Sequence, residues 1–91
     1  MRLTQWTDYS LRVLMYCAQC ESLQTVATIQ TIADQHDISK SHLTKIVMTL
    51  AADGYLLTSR GRGGGIRLGR PASQIVLGEV VRKTETDFQM V

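Results

Sequence analysis

Apolar residues recur at helical spacing in four stretches of the chain, and two short apolar, β-prone runs lie between the third and the fourth. From about Asp8 to Cys20 the pattern predicts a helix with two apolar stripes. Leu11, Leu14, Met15 and Ala18 make one, and Tyr9, Val13, Tyr16, Cys17 and Cys20 the other, nearly opposite, because each residue turns the helix by about 100°. One stripe is expected to face the core of this domain and the other the last helix or a second subunit. Thr7 occupies the position of an N-cap, where a side-chain oxygen takes an otherwise unpaired backbone N–H. After a loop at 21–25, a second helix spans about Ile29–Gln35. Thr28 is its cap, and Ile29, Ile32 and Ala33 point inward. His36 and Asp37 form a turn, since Asp tolerates the left-handed backbone such turns require. Ser39 then caps a third helix that carries Leu43, Ile46, Val47 and Leu50 on one face and stops at Gly54, a typical glycine just past a helix end.

Tyr55–Thr58 and Ile66–Leu68 predict two short strands. Pro71 prevents the second from continuing as a central strand. The last helix is predicted over about Leu77–Glu85, with Ile75, Leu77, Val80 and Val81 buried. Helix, helix-turn-helix, hairpin and helix in one chain of 91 residues make a single domain, residues 1–91, of the mostly α class with a small β-hairpin: a winged helix-turn-helix.

Charge sharpens this reading. Net charge is only +2, yet residues 1–38 carry a net −2, residues 39–83 a net +6, and residues 84–91 a net −2. A basic half is the electrostatic footprint of a polyanion partner. Residues 60–67, Arg-Gly-Arg-Gly-Gly-Gly-Ile-Arg, join glycines that let a backbone approach another surface closely to planar cations suited to phosphate. Arg60, Arg62 and Arg67, with Arg70 just beyond, are the expected contacts of this wing with a minor groove. On the third helix, opposite the Leu43 stripe, lie Ser41, Thr44, Lys45 and Met48, with Lys40 and His42 at the edges. A recognition helix enters the major groove with its N-terminal end, so residues 40–45 are expected to reach bases and phosphates. A rival reading is a winged-helix module that docks proteins without sequence-specific DNA binding; a solvated amphipathic face gives the same pattern on the third helix.

Other chemistry is excluded. No Ser/His/Asp or Cys/His set is assembled, so an enzyme is not expected. The Gly-rich run lacks the Lys-Ser/Thr and strand-to-helix setting of a nucleotide-phosphate loop. Cys17 and Cys20 lie on an apolar stripe without a second ligand pair, so packing is expected and no metal site within this chain. No apolar run approaches membrane-spanning length and no secretory signal opens the sequence, giving a cytoplasmic expectation.

These residues resemble a known family. Leu3-Thr4-Gln5-Trp6-Thr7-Asp8-Tyr9-Ser10-Leu11-Arg12, Ser41-His42-Leu43-Thr44-Lys45-Ile46, Gly54-Tyr55 and Arg60-Gly61-Arg62-Gly63-Gly64-Gly65-Ile66-Arg67-Leu68-Gly69-Arg70-Pro71-Ala72 are similar to bacterial winged-helix repressors of the IscR/NsrR type, above all their nitric-oxide-sensing members. The resemblance implies a homodimeric repressor of promoter DNA, gated by an iron–sulfur cluster, [4Fe-4S] or [2Fe-2S]. Three cysteines beyond the last helix would hold the cluster, and Asp8 would offer a fourth ligand to the cluster of the partner subunit. Read from its surroundings alone, Asp8 favours the positive end of its helix and pairs with Arg12 four residues on. The sequence ends at Val91, about where that cysteine-bearing loop and the long pairing helix would follow. This chain alone is therefore expected to hold no cluster.

Overall fold

The computed structural model describes residues 5–59 and 65–89, the last four as backbone only. In order these form α1 (Gln5–Leu23), α2 (Ile29–His36), α3 (Lys40–Ala52), β1 (Leu56–Thr58), β2 (Ile66–Leu68), a 3-10 turn (Ala72–Gln74) and α4 (Leu77–Gln89).

The caps of the helix-turn-helix are those its sequence predicts. The Thr28 hydroxyl accepts from the Thr31 N–H while the Thr31 hydroxyl accepts from the Thr28 N–H, a reciprocal capping box at the start of α2. Asp37 closes α2 with φ 54°, in the left-handed region, and its N–H bonds the carbonyl of Ala33. Two residues later the Ser39 hydroxyl accepts from the His42 N–H at 3.3 Å and starts α3. Beyond the other end of α3, Gly54 takes φ 85°, which a residue bearing Cβ would adopt only with strain. Leu43, Ile46, Val47 and Leu50 are all buried, so the face of α3 opposite them is left to solvent.

β1 and β2 pair antiparallel, with Leu56 opposite Leu68, Leu57 opposite Arg67 and Thr58 opposite Ile66. Alternation along the strand buries Ile66 and Leu68 and turns Arg67 outward. A third backbone segment joins the sheet: the Ile66 N–H donates to the Ala27 carbonyl at 2.8 Å. The tip end of the hairpin is thus fastened to the loop that leads into α2.

α1 departs from the predicted pattern. It begins before Asp8, so Thr7 lies inside the helix and not at the N-cap position expected of it. Its fully buried hydroxyl instead meets that of Thr84 on α4 at 3.0 Å, and Thr84 donates in turn to the Val80 carbonyl. The buried face combines Thr7, Ser10, Val13, Leu14, Cys17 and Cys20 in one arc, in place of two opposed stripes. The polar members lie within that arc because each hydroxyl has a partner: Thr7 meets Thr84 across the helix pair, and Ser10 donates to the Trp6 carbonyl at 2.8 Å. Met15, from the first stripe, is 64% exposed. α4 packs against α1 and buries Val80, with Ile75 and Val81 half-buried, but Leu77 is exposed, contrary to expectation. It stands in the first turn of α4, at the open edge of an apolar pocket that it shares with Leu14, Met15 and Ala18 of α1.

Candidate nucleic-acid interface

The exposed side of α3 follows from its register. With four buried residues at spacings of three and four, Lys40, Ser41, His42, Thr44, Lys45 and Met48 are all left exposed. The set is cationic at two points, hydrogen-bonding at three and apolar at Met48, whose side chain is 67% exposed. Helix geometry leaves the N–H groups of Lys40 and Ser41 without an intrahelical partner, and the helix dipole makes that end attractive to an anion. Thr44 donates its hydroxyl proton to the Lys40 carbonyl at 2.8 Å. Its outward lone pair is therefore an acceptor, suited to an exocyclic amino group, and its methyl is available to a thymine methyl. The Ser41 hydroxyl lies 3.4 Å from that of Ser39. His42 is held from the side by Trp6 of α1, ring centroids 5.3 Å apart and tilted by 58°, a contact that periodicity does not reveal.

The other predicted cations are dispersed. Arg60 and Arg62 lie outside the described residues. Arg67, on the outer face of the hairpin opposite Leu57, borders a cleft whose other walls include Cys17, Cys20, Glu21 and Thr25, on the α1 side. Arg70 sits at the base of the hairpin with its guanidinium 4.9 Å from the Tyr55 ring, a cation–π geometry. That base adjoins the C-terminal end of α3, where the Tyr55 N–H donates to the Leu50 carbonyl, and not the end that carries Lys40. Among the predicted cations that are described, only Lys40 and Lys45 share the α3 face. Between hairpin and α3, Thr28, Val47, Ser59 and Gly65 border one cavity of about 250 Å³, so the strand ends that lead to residues 60–64 open beside α2 and α3. Gly65 serves the protein's own packing there: a Cβ at this position would lie 2.5 Å from Val26 Cγ1 and 2.7 Å from the Ala27 carbonyl oxygen.

The thiols do not fit an iron site. Cys17 and Cys20 are buried in the core, and burial, with smaller contributions from Cys20 and Glu21, pushes the Cys17 thiol up to about 12, far from the thiolate that ligates metal. Among the described residues no three His, Cys, Asp or Glu side chains stand close enough together to hold a metal ion. Asp8 is paired with Arg12 at 3.1 Å, both side chains about half exposed. Among the described residues no helix is long and apolar enough to cross a membrane.

A helix-turn-helix whose second helix keeps a polar, partly cationic face clear of its own core is the geometry of a DNA-binding regulator, and comparison with known proteins agrees. The sequence profile described as "Rrf2: Iron-dependent Transcriptional regulator" matches residues 3–91. The chain belongs to the Rrf2 family of transcriptional regulators. A curated Rrf2 relative, the HTH-type transcriptional regulator NsrR of Bacillus subtilis, is 53% identical over 91 residues, which is all of this chain and 62% of that protein. The chain thus spans less than two thirds of the relative's length. Among solved structures, CymR, the global cysteine regulator of B. subtilis, superposes with a TM-score of 0.85 at 24% identity, covering 93% of this chain and 65% of that one. T. potens IscR does so at 0.82 and 19%, covering 99% and 73%. These two likenesses establish the Rrf2 winged-helix fold, and the matched Rrf2 relatives are transcriptional regulators, not enzymes.

Proposed function

We propose that this chain is the DNA-binding part of a homodimeric transcriptional repressor that lays the N-terminal half of α3 in the major groove of promoter DNA and the 60–64 tip in the neighbouring minor groove. The observation that carries this reading is the continuous exposed face of α3, Lys40 to Met48. In this assignment Ser41, His42 and Thr44 read base edges, Lys40 and Lys45 neutralise phosphates or reach guanine, and Arg60 and Arg62 enter the minor groove. Arg67 and Arg70, on the outer face and at the base of the hairpin, add positive potential and phosphate attraction at longer range.

We further infer that regulation is iron-linked, with an iron–sulfur cluster and nitric oxide as the signal in the full-length protein. Support comes from the family description and from the relation to NsrR. In this reading Asp8, half exposed beside Arg12, is the residue assigned to a partner subunit's cluster; the core thiols are withdrawn from that role.

The test is a salt-titrated gel shift, preceded by enrichment from a randomised duplex pool. Lys45→Ala is expected to weaken duplex binding by about 1 kcal/mol and to lower the slope of log K against log salt by about one. Replacing Arg60 and Arg62 together is expected to lower it by about one to two. Enrichment of no sequence, with a salt slope unchanged in both variants, would reject the interface.

A further inference from the structure

The first turn of α1 and the first turn of α3 are 36 positions apart in sequence (Trp6 and His42), yet they meet ring against ring. Trp6 is half-buried and His42 exposed. Their tilted contact, with centroids 5.3 Å apart, lies within the range of favourable aromatic pairs. Each ring sits on well-fastened backbone. The Trp6 carbonyl accepts from Ser10, and the His42 N–H is taken by the Ser39 cap. The imidazole is thus the moving part, and the indole limits where it can go. Without that wall an exposed histidine at the edge of a helix samples several rotamers, and binding would have to order it.

We propose that Trp6 is a positioning residue for DNA recognition: through His42 it fixes how the first turn of α3 presents itself, and it joins that turn to the helix turn that carries Asp8. The proposal rests on the reading of α3 as the DNA-contacting helix. It assigns to Trp6 a role in affinity that packing alone would not require, because the partner ring belongs to the exposed face. Trp6 and Asp8 are two residues apart on α1 and point to different sides of it. A displacement of that turn caused at Asp8 would therefore be felt at His42 through the rigid helix.

The chain contains a single tryptophan, so emission excited at the red edge of the indole band reports on Trp6 alone. His42→Ala is expected to change its intensity in the free protein, which reads the contact without DNA. Binding to a fluorescein-labelled A·T-rich duplex is then measured for Trp6→Leu, Trp6→Phe, His42→Gln and the double variant Trp6→Leu/His42→Gln. Thermal unfolding is followed in parallel, so that affinities refer to folded protein. Trp6→Leu is expected to lose about threefold to tenfold in affinity, Trp6→Phe to restore most of it, and Trp6→Leu to have no further effect once His42 is glutamine. A pure packing role gives the same loss in both backgrounds and overturns the proposal. So does an emission that ignores His42→Ala. A wild-type chain that binds no duplex overturns the reading of α3 itself, and the assignment of Trp6 falls with it. Binding by the wild type with equal losses in both backgrounds removes the Trp6 assignment alone.

Discussion

Gly69→Ala is expected to destabilise the domain by about 3 kcal/mol, near the upper end of what overpacking costs. A Cβ on residue 69 would run into the Gly54 carbonyl oxygen and lie 3.2 Å from the Gly54 carbonyl carbon and from the Leu56 nitrogen. All three are backbone atoms of the segment joining α3 to β1, so no side chain can swing aside. Relief requires the strands to separate at their base, where the Gly69 N–H now donates to the Tyr55 carbonyl at 2.8 Å. Gly78→Ala is the control. It sits exposed in the first turn of α4, where a Cβ comes no nearer than 3.6 Å to Arg82. Alanine there should stabilise by about 0.5–1 kcal/mol. Urea midpoints of the two variants and the wild type decide the matter. A Gly69→Ala midpoint equal to that of the wild type would mean that strand and helix end are not so closely apposed.

Ile46→Ala and Lys45→Ala, adjacent in sequence, are expected to have opposite phenotypes. Ile46 is 0% exposed, and truncating it removes buried methyl groups and leaves a cavity, at a cost of about 2–4 kcal/mol. For a domain of this size that is a large part of the total stability. DNA affinity per folded molecule should barely move. Lys45, exposed on the outer face, should leave the unfolding midpoint within about 0.5 kcal/mol of the wild type while weakening duplex binding. Measuring both properties on both variants tests the rotation of α3 about its axis. If Ile46→Ala spared stability, or if Lys45→Ala destabilised the fold, the assignment of the two faces would be wrong.

The helix-turn-helix was readable because its signals are local. Thr28, Asp37, Ser39 and Gly54 act through their own or neighbouring backbone, and the Leu43 stripe needs only a period of 3.6. The same holds for the hairpin, whose predicted strands differ from the observed ones by Tyr55 alone. α1 departs from its predicted pattern because two of its core positions, Thr7 and Ser10, are polar. A hydroxyl that bonds a helix carbonyl or a second buried hydroxyl sits in a core without violating any rule of burial, but hydropathy does not register it. Leu77 is the converse case: it is apolar, yet it lies at the open edge of a pocket against α1 and stays exposed. The face of α3 could be anticipated because exposure on a short helix follows from what its other side buries. The grouping of the cations could not, since Arg67 is placed by strand pairing and Arg70 by the ring of Tyr55, both tertiary relations. The Trp6–His42 contact belongs to that class as well.

The bond from Ile66 to Ala27 gives the protein the character of calipers with a locked joint. With the tip end of the hairpin held to the loop that leads into α2, hairpin and helical pair follow the contours of a target together. On a duplex that offers its two grooves at the wrong phase or width, the accommodation would fall on the nucleic acid, by bending or by narrowing a groove. Sequences that deform easily would then be preferred at base pairs that no side chain touches.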